Sequence, residues 1–158
     1  MLGAEATQVR NTRPAATRPR SAWAWPLSPQ PSVVRRFIAP ESRWGAGHRG
    51  VDLAGQAGQP VHAVAAGSVS HVGVVAGRGT VSVLHPSGIR STYEPVDPSV
   101  RVGQLVAQGT TLGVLAAASK ADLVLLGAVL RDDPGRTRFV AFERLSLVAG
   151  QRARFAIQ

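Results

Sequence analysis

Apolar and small residues along this chain recur mainly with a period of two, in short bursts, which is the spacing of strands with two unlike faces. From Gln59 to Val75, Pro-Val-His-Ala-Val-Ala-Ala-Gly-Ser-Val-Ser-His-Val-Gly-Val-Val alternates and is broken at Gly67, so it predicts two strands joined at a tight bend. Thr80–His85 and Ile89–Glu94, joined by Pro86-Ser-Gly88, predict a β-hairpin. Alternation places Ser91, Tyr93 and Pro95 on one side of its second strand and Arg90, Thr92 and Glu94 on the other. A near repeat, Val102-Gly-Gln-Leu-Val106 then Gly109-Thr-Thr-Leu-Gly113, predicts very short strands between glycine turns. Val33–Phe37 predicts a first strand. The continuous apolar run from Asp122 to Leu130 predicts a strand buried on both faces. Asp132-Asp-Pro-Gly135 predicts a turn, Phe139–Val148 a closing strand or short helix, and 151–158 a tail.

Composition agrees with many short elements. The chain has 158 residues, 44% of them apolar, with 17 Gly and 11 Pro, enough for one domain with its own core. It contains no cysteine, so disulfides do not staple it. Trp23-Ala-Trp-Pro-Leu27 opens the ordered part, and its tryptophans are expected in the core; Trp44 lies nearer the candidate site.

The net charge of +9 is concentrated at the start, where Arg10, Arg13, Arg18 and Arg20 lie among Pro, Ala and Thr. Residues 1–22 therefore read as a disordered basic arm. No aromatic side chains interleave with these arginines to stack bases, which argues against a nucleic-acid partner. Anionic wall polymers or a membrane surface fit such an arm equally well. Residues 1–22 contain neither a signal-type apolar run nor a membrane span.

Chemistry centres on His48-Arg-Gly-Val-Asp52. A histidine and an aspartate four apart, among Gly45, Gly47 and Gly50, can turn a ring nitrogen and a carboxylate oxygen toward one cation, which is half of a zinc site. Taken alone, H-x-x-x-D also occurs by chance, with the histidine in solvent and the aspartate capping a turn.

The surrounding motifs decide between these readings. His48-Arg-Gly-Val-Asp52-Leu-Ala, then Gly58-Gln-Pro-Val-His-Ala-Val-Ala-Ala-Gly67-Ser-Val69, then Gly79-Thr-Val-Ser-Val-Leu-His85-Pro-Ser-Gly88, resembles the lysostaphin-type, or LytM-like, M23 metallopeptidase domain. The resemblance runs on through Thr92-Tyr-Glu-Pro-Val96, Val102–Val106 and Gly113–Leu115, and covers roughly Trp23 to Val148. It implies a mainly β fold, an antiparallel β-sheet sandwich with short loops spanning residues 23–150. It also implies a peptidoglycan substrate, a Zn2+ cofactor and an extracytoplasmic or cell-wall location, which stands against the lack of a visible signal peptide. The V-x-x-G-x-x-V rhythm of residues 102–115 is shared with biotinyl and lipoyl carriers, but Lys120 lacks the setting of a carrier lysine.

In that family the histidine and aspartate of H-x-G-x-D and the second histidine of a late H-x-H hold zinc, leaving one position for the water that attacks an amide. The first late histidine and one in a T-x-Y-x-H segment assist. Carried over by residue, His48 and Asp52 match the first two ligands. In the register fixed by Gly127, the third ligand position is Leu125 and the assisting histidine two before it is Leu123. Glu94 or Pro95 occupies the place of the other assisting histidine, which makes Glu94 the candidate base. Asp122 flanks the ligand strand and is the candidate substitute ligand, whereas His62 and His85 read as structural; His71 is the remaining histidine. The expectation is an M23-type domain whose hydrolytic centre has decayed and which binds peptidoglycan peptides or regulates cell-wall hydrolases. The alternative is an active zinc endopeptidase with a substituted third ligand.

Overall fold

A computed structural model describes residues 23–42 and 45–117, together with the backbone of 123–133 and 136–140. The expected basic arm, Trp44, Lys120, Asp122, the Pro134–Gly135 turn, residues 141–148 and the tail lie outside the described residues.

All regular elements among the described residues are strands. In chain order they are β1 (Val33–Arg35), β2 (Val51–Ala54), β3 (Pro60–His62), β4 (Gly67–Val75), β5 (Arg78–Leu84), β6 (Ile89–Glu94), β7 (Val96–Pro98), β8 (Leu105–Val106), β9 (Thr111–Leu115), β10 (Leu123–Asp133) and β11 (Arg136–Val140). An eight-stranded antiparallel sheet runs β1-β2-β10-β6-β5-β4-β8 with β11 paired to β10. A three-stranded sheet runs β3-β9-β7.

The expected strands form, with adjusted lengths. The first ends at Arg35 rather than Phe37, and the apolar late strand extends to Asp133. The bend at Gly67 separates two layers, since β3 joins the small sheet and β4 the large one. The near repeat divides likewise, β8 pairing with β4 and β9 with β3 and β7. The β5–β6 hairpin pairs Val81 with Tyr93 and Ser82 with Thr92. Its connection contains Gly88 at φ 81°, a left-handed conformation that costs glycine little.

The core lies between the layers. Val51, Leu53, Val61, Val64, Val81, Val83, Tyr93, Val96 and Leu112 are fully buried, and Trp23 and Leu27 close over them from the opening segment. Each such aliphatic side chain contributes about 1.5–3 kcal/mol over exposure, so the alternating inward residues hold the layers together. Tyr93 ties them by polar contact as well. Its hydroxyl accepts the Val64 N–H at 3.0 Å and lies 2.9 Å from Ser91 Oγ, which in turn lies 2.8 Å from His85 Nε2. The other ring nitrogen of His85 donates to Ala66 O at 2.8 Å, and Trp23 packs on the ring with centroids 4.6 Å apart.

Candidate metal centre

The polar residues of the central strands fall in one line across the large sheet. Antiparallel partners share a face, and the register pairs Asp52 of β2 with Leu125 of β10, Leu125 with Glu94 of β6, and Thr80 of β5 with Gly73 of β4. Glu94 and Thr80 are cross-strand neighbours in the β5–β6 ladder, with Thr80 Oγ1 donating to Glu94 Oε2 at 3.4 Å. The adjacent line runs through Val51, Leu126, Tyr93 and Val81, of which Val51, Tyr93 and Val81 are fully buried in the core. One-residue alternation thus separates chemistry from packing along every strand.

His48 reaches this line from the loop before β2. Its backbone pairs with Ile38, N to O at 2.9 Å in both directions, and Gly47 beside it passes so close that a Cβ would sit 2.8 Å from Ile38 O. The ring is fixed at both nitrogens, Nδ1 to Arg36 O at 2.8 Å and Nε2 to Asp52 Oδ1 at 2.9 Å. Both side chains are mostly shielded, at 11% and 15% exposure.

The donor set can be tested against a zinc ion. Two ligands at ~2.0 Å in tetrahedral geometry stand roughly 3.3 Å apart, so the observed contact is a few tenths of an ångström from a ligand edge. Two donors do not make the three-ligand set of a catalytic zinc, however. Among the described residues no group of three His, Cys, Asp or Glu converges. The register position between Asp52 and Glu94 belongs to Leu125, which has no lone pair to give. Asp122 lies outside the described residues.

Glu94 is nearly buried and already engaged. Oε1 lies 3.4 Å from Arg78 Nη2, and Oε2 accepts from Thr80. Arg78 was not legible as its partner from motif reading, although the β5–β6 register places it two residues from Thr80, the neighbour of Glu94 across the ladder. The remaining histidines stand apart from this centre. His62 Nδ1 lies 3.4 Å from Thr111 Oγ1 in the small sheet, and His71 is exposed on β4. Burial lowers the His85 pKa from 6.5 and outweighs the opposing bond to Ala66 O, so the core favours the neutral form of the ring.

Sequence and fold comparisons agree with this architecture. Over 97 residues the chain is 54% identical to an uncharacterised protein of Mycobacterium tuberculosis strain H37Rv and to one of Mycobacterium bovis. These matches cover 61% of this chain and 39% of each relative, so the chain spans well under half the length of the proteins it resembles. Helicobacter pylori Csd3 shares the fold with a TM-score of 0.67 at 19% identity, over 84% of this chain and 37% of that one. The solution structure of lysostaphin gives 0.61 at 21% identity, over 72% and 49%. A zinc-containing peptidase from Vibrio cholerae gives 0.61 at 22%, over 77% and 39%. Residues 46–130, which run from the approach to His48 through the strand bearing Leu125, match the profile of peptidase family M23, and the chain belongs to that family.

Proposed function

We propose that this chain is a peptidoglycan-directed M23 module that binds wall peptides without hydrolysing them, and that it serves cell-wall attachment or the regulation of cell-wall hydrolases outside the cytoplasm. The observation that carries the reading is the register of β10, where Leu125 stands between Asp52 and Glu94 at the position from which a third donor would complete the cation's shell. A sheet face can keep its shape and hydrogen-bonding groups after the metal's ligands are reduced to two, because the face is built by strand pairing. With only two protein ligands, zinc binds weakly.

A second reading is supported by the surviving geometry of His48 and Asp52, whose 2.9 Å contact is near a ligand edge. It makes the chain a zinc endopeptidase cutting peptidoglycan peptides, with His48 and Asp52 as ligands, Asp122 as the third and Glu94 as base. Zinc, when bound, would polarise a water for attack on an amide.

Metal analysis and one substitution separate the two. Purified wild-type protein is expected to carry well under one zinc per chain and to leave peptidoglycan peptides intact while sedimenting with insoluble peptidoglycan in the presence of chelator. Leu125→His is expected to raise zinc content toward one per chain. Stoichiometric zinc in the wild type that disappears in His48→Ala, together with peptide cleavage, would establish the enzyme instead.

A further inference from the structure

Four register positions from the Asp52–Leu125–Glu94 line, on the same polar face, stands an arginine that no described residue pairs with. Arg90 is on β6 on the side of Thr92 and Glu94, four residues from Glu94 and therefore about 13 Å from it along the strand. The other ionised side chains of β2, β5 and β6 on this face have partners, Asp52 with His48 and Glu94 with Arg78. Arg90 has none among the described residues. It is half-buried, and its Nε is shielded from solvent without a hydrogen-bond acceptor. An N–H of a charged group in this state costs the folded protein stability unless an acceptor arrives from outside.

Its neighbours in register specify more than charge. Arg90 pairs with Leu84 on β5 and with Val129 on β10, Leu84 pairs with Ser68 on β4, and Ser68 pairs with Leu105 on the edge strand β8. Leu84 is 41% and Leu105 81% exposed. One cation beside the exposed Leu84, on a face that also carries the hydroxyls of Thr92 and Ser82, matches a ligand with a single negative end and an apolar side chain next to it.

We propose that Arg90 is the anchor of a carboxylate subsite, which takes the free C-terminal carboxylate of an extended peptide while an adjacent aliphatic side chain of that peptide lies on Leu84. The proposal deepens the peptide-binding reading given above and rests on it for the orientation of the ligand along β6. The ~13 Å between this end and the Glu94 line is the reach of about four extended residues, so one short peptide can span both.

The test uses N-acetyl-Ala-Leu-Leu with a free acid and the same peptide as its carboxamide, titrated into the full chain and followed by NMR at the arginine Nε–H and leucine methyl resonances. The acid is expected to bind on the order of tenfold tighter than the amide, as a charge-assisted contact implies. The preference should vanish in Arg90→Gln and survive in part in Arg90→Lys, with both variants checked for an unchanged melting temperature. Equal binding of acid and amide to the wild type, or an undiminished preference in Arg90→Gln, would overturn the subsite. Sedimentation with insoluble peptidoglycan runs beside it. Sedimentation without acid preference removes the subsite and leaves the wall-binding reading. Acid preference without sedimentation supports the subsite and removes the wall. The absence of both removes both.

Discussion

The single tyrosine of this chain offers a direct readout of the core. Tyr93 is wholly enclosed, and desolvation of its phenolate pushes its pKa up to about 12 from 10, against the smaller opposing effects of Ser91 and the Val64 N–H. Its folded pKa lies above its unfolded one, so its contribution is fully present below pH 10 and is lost as pH rises from 10 toward 12. A shift of that size corresponds to roughly 2–3 kcal/mol. Absorbance at 295 nm, which in this protein reports one phenol, is expected to rise with a midpoint near 12 and together with loss of the fold. A midpoint near 10 with the fold intact would contradict the burial. At this scale the sequence was readable in part. Alternation along Ile89–Glu94 placed Tyr93 opposite Arg90 and Thr92 in facing, as the burial pattern has it, while Glu94 is buried on the other face. Its bond to Val64, 29 residues away, depends on where the chain crosses between sheets, and no local pattern encodes that.

Among the elements, the β4–β5 connection is the least comfortable. Val75 pairs with Arg78, leaving the two-residue turn Ala76-Gly77 with φ of 49° and 76°, the combination that suits strand twist and that Asn-Gly fills best. Alanine in the left-handed region carries a steric cost that asparagine bears more easily. Ala76→Asn is expected to stabilise by about 0.5–1 kcal/mol, visible as a higher urea midpoint with an unchanged slope; a lower midpoint would refute it. The same alanine explains why this hairpin is hard to read in advance, since Ala-Gly lacks the usual turn signature. Strands β3, β4, β6 and β9 follow from alternation and glycine breaks, whereas their division between two sheets does not. His48 and Asp52 were legible as a pair from spacing and flanking glycines, but the Arg36 carbonyl that holds the ring was hidden because it comes from the loop after β1.

Across the whole molecule, stability is expected to owe nothing to metal. Anything that binds the folded state adds RT ln(1 + [L]/Kd), so a resident zinc with submicromolar Kd would raise the melting temperature when supplied at millimolar concentration. With the His48 ring and the Asp52 carboxylate joined to each other, the melting temperature should move by less than about 1 °C on adding zinc or EDTA, as followed by circular dichroism. A rise of several degrees with zinc, abolished in Asp52→Asn, would show the opposite. The interleaving of the Asp52–Leu125–Glu94 line with the Val51–Leu126–Tyr93 line gives the scaffold an unusual freedom. Reactive groups occupy one side of the fabric and cohesion resides on the other, so descent with modification can erase or rewrite an enzyme's inscription here without loosening a single thread that keeps the cloth whole.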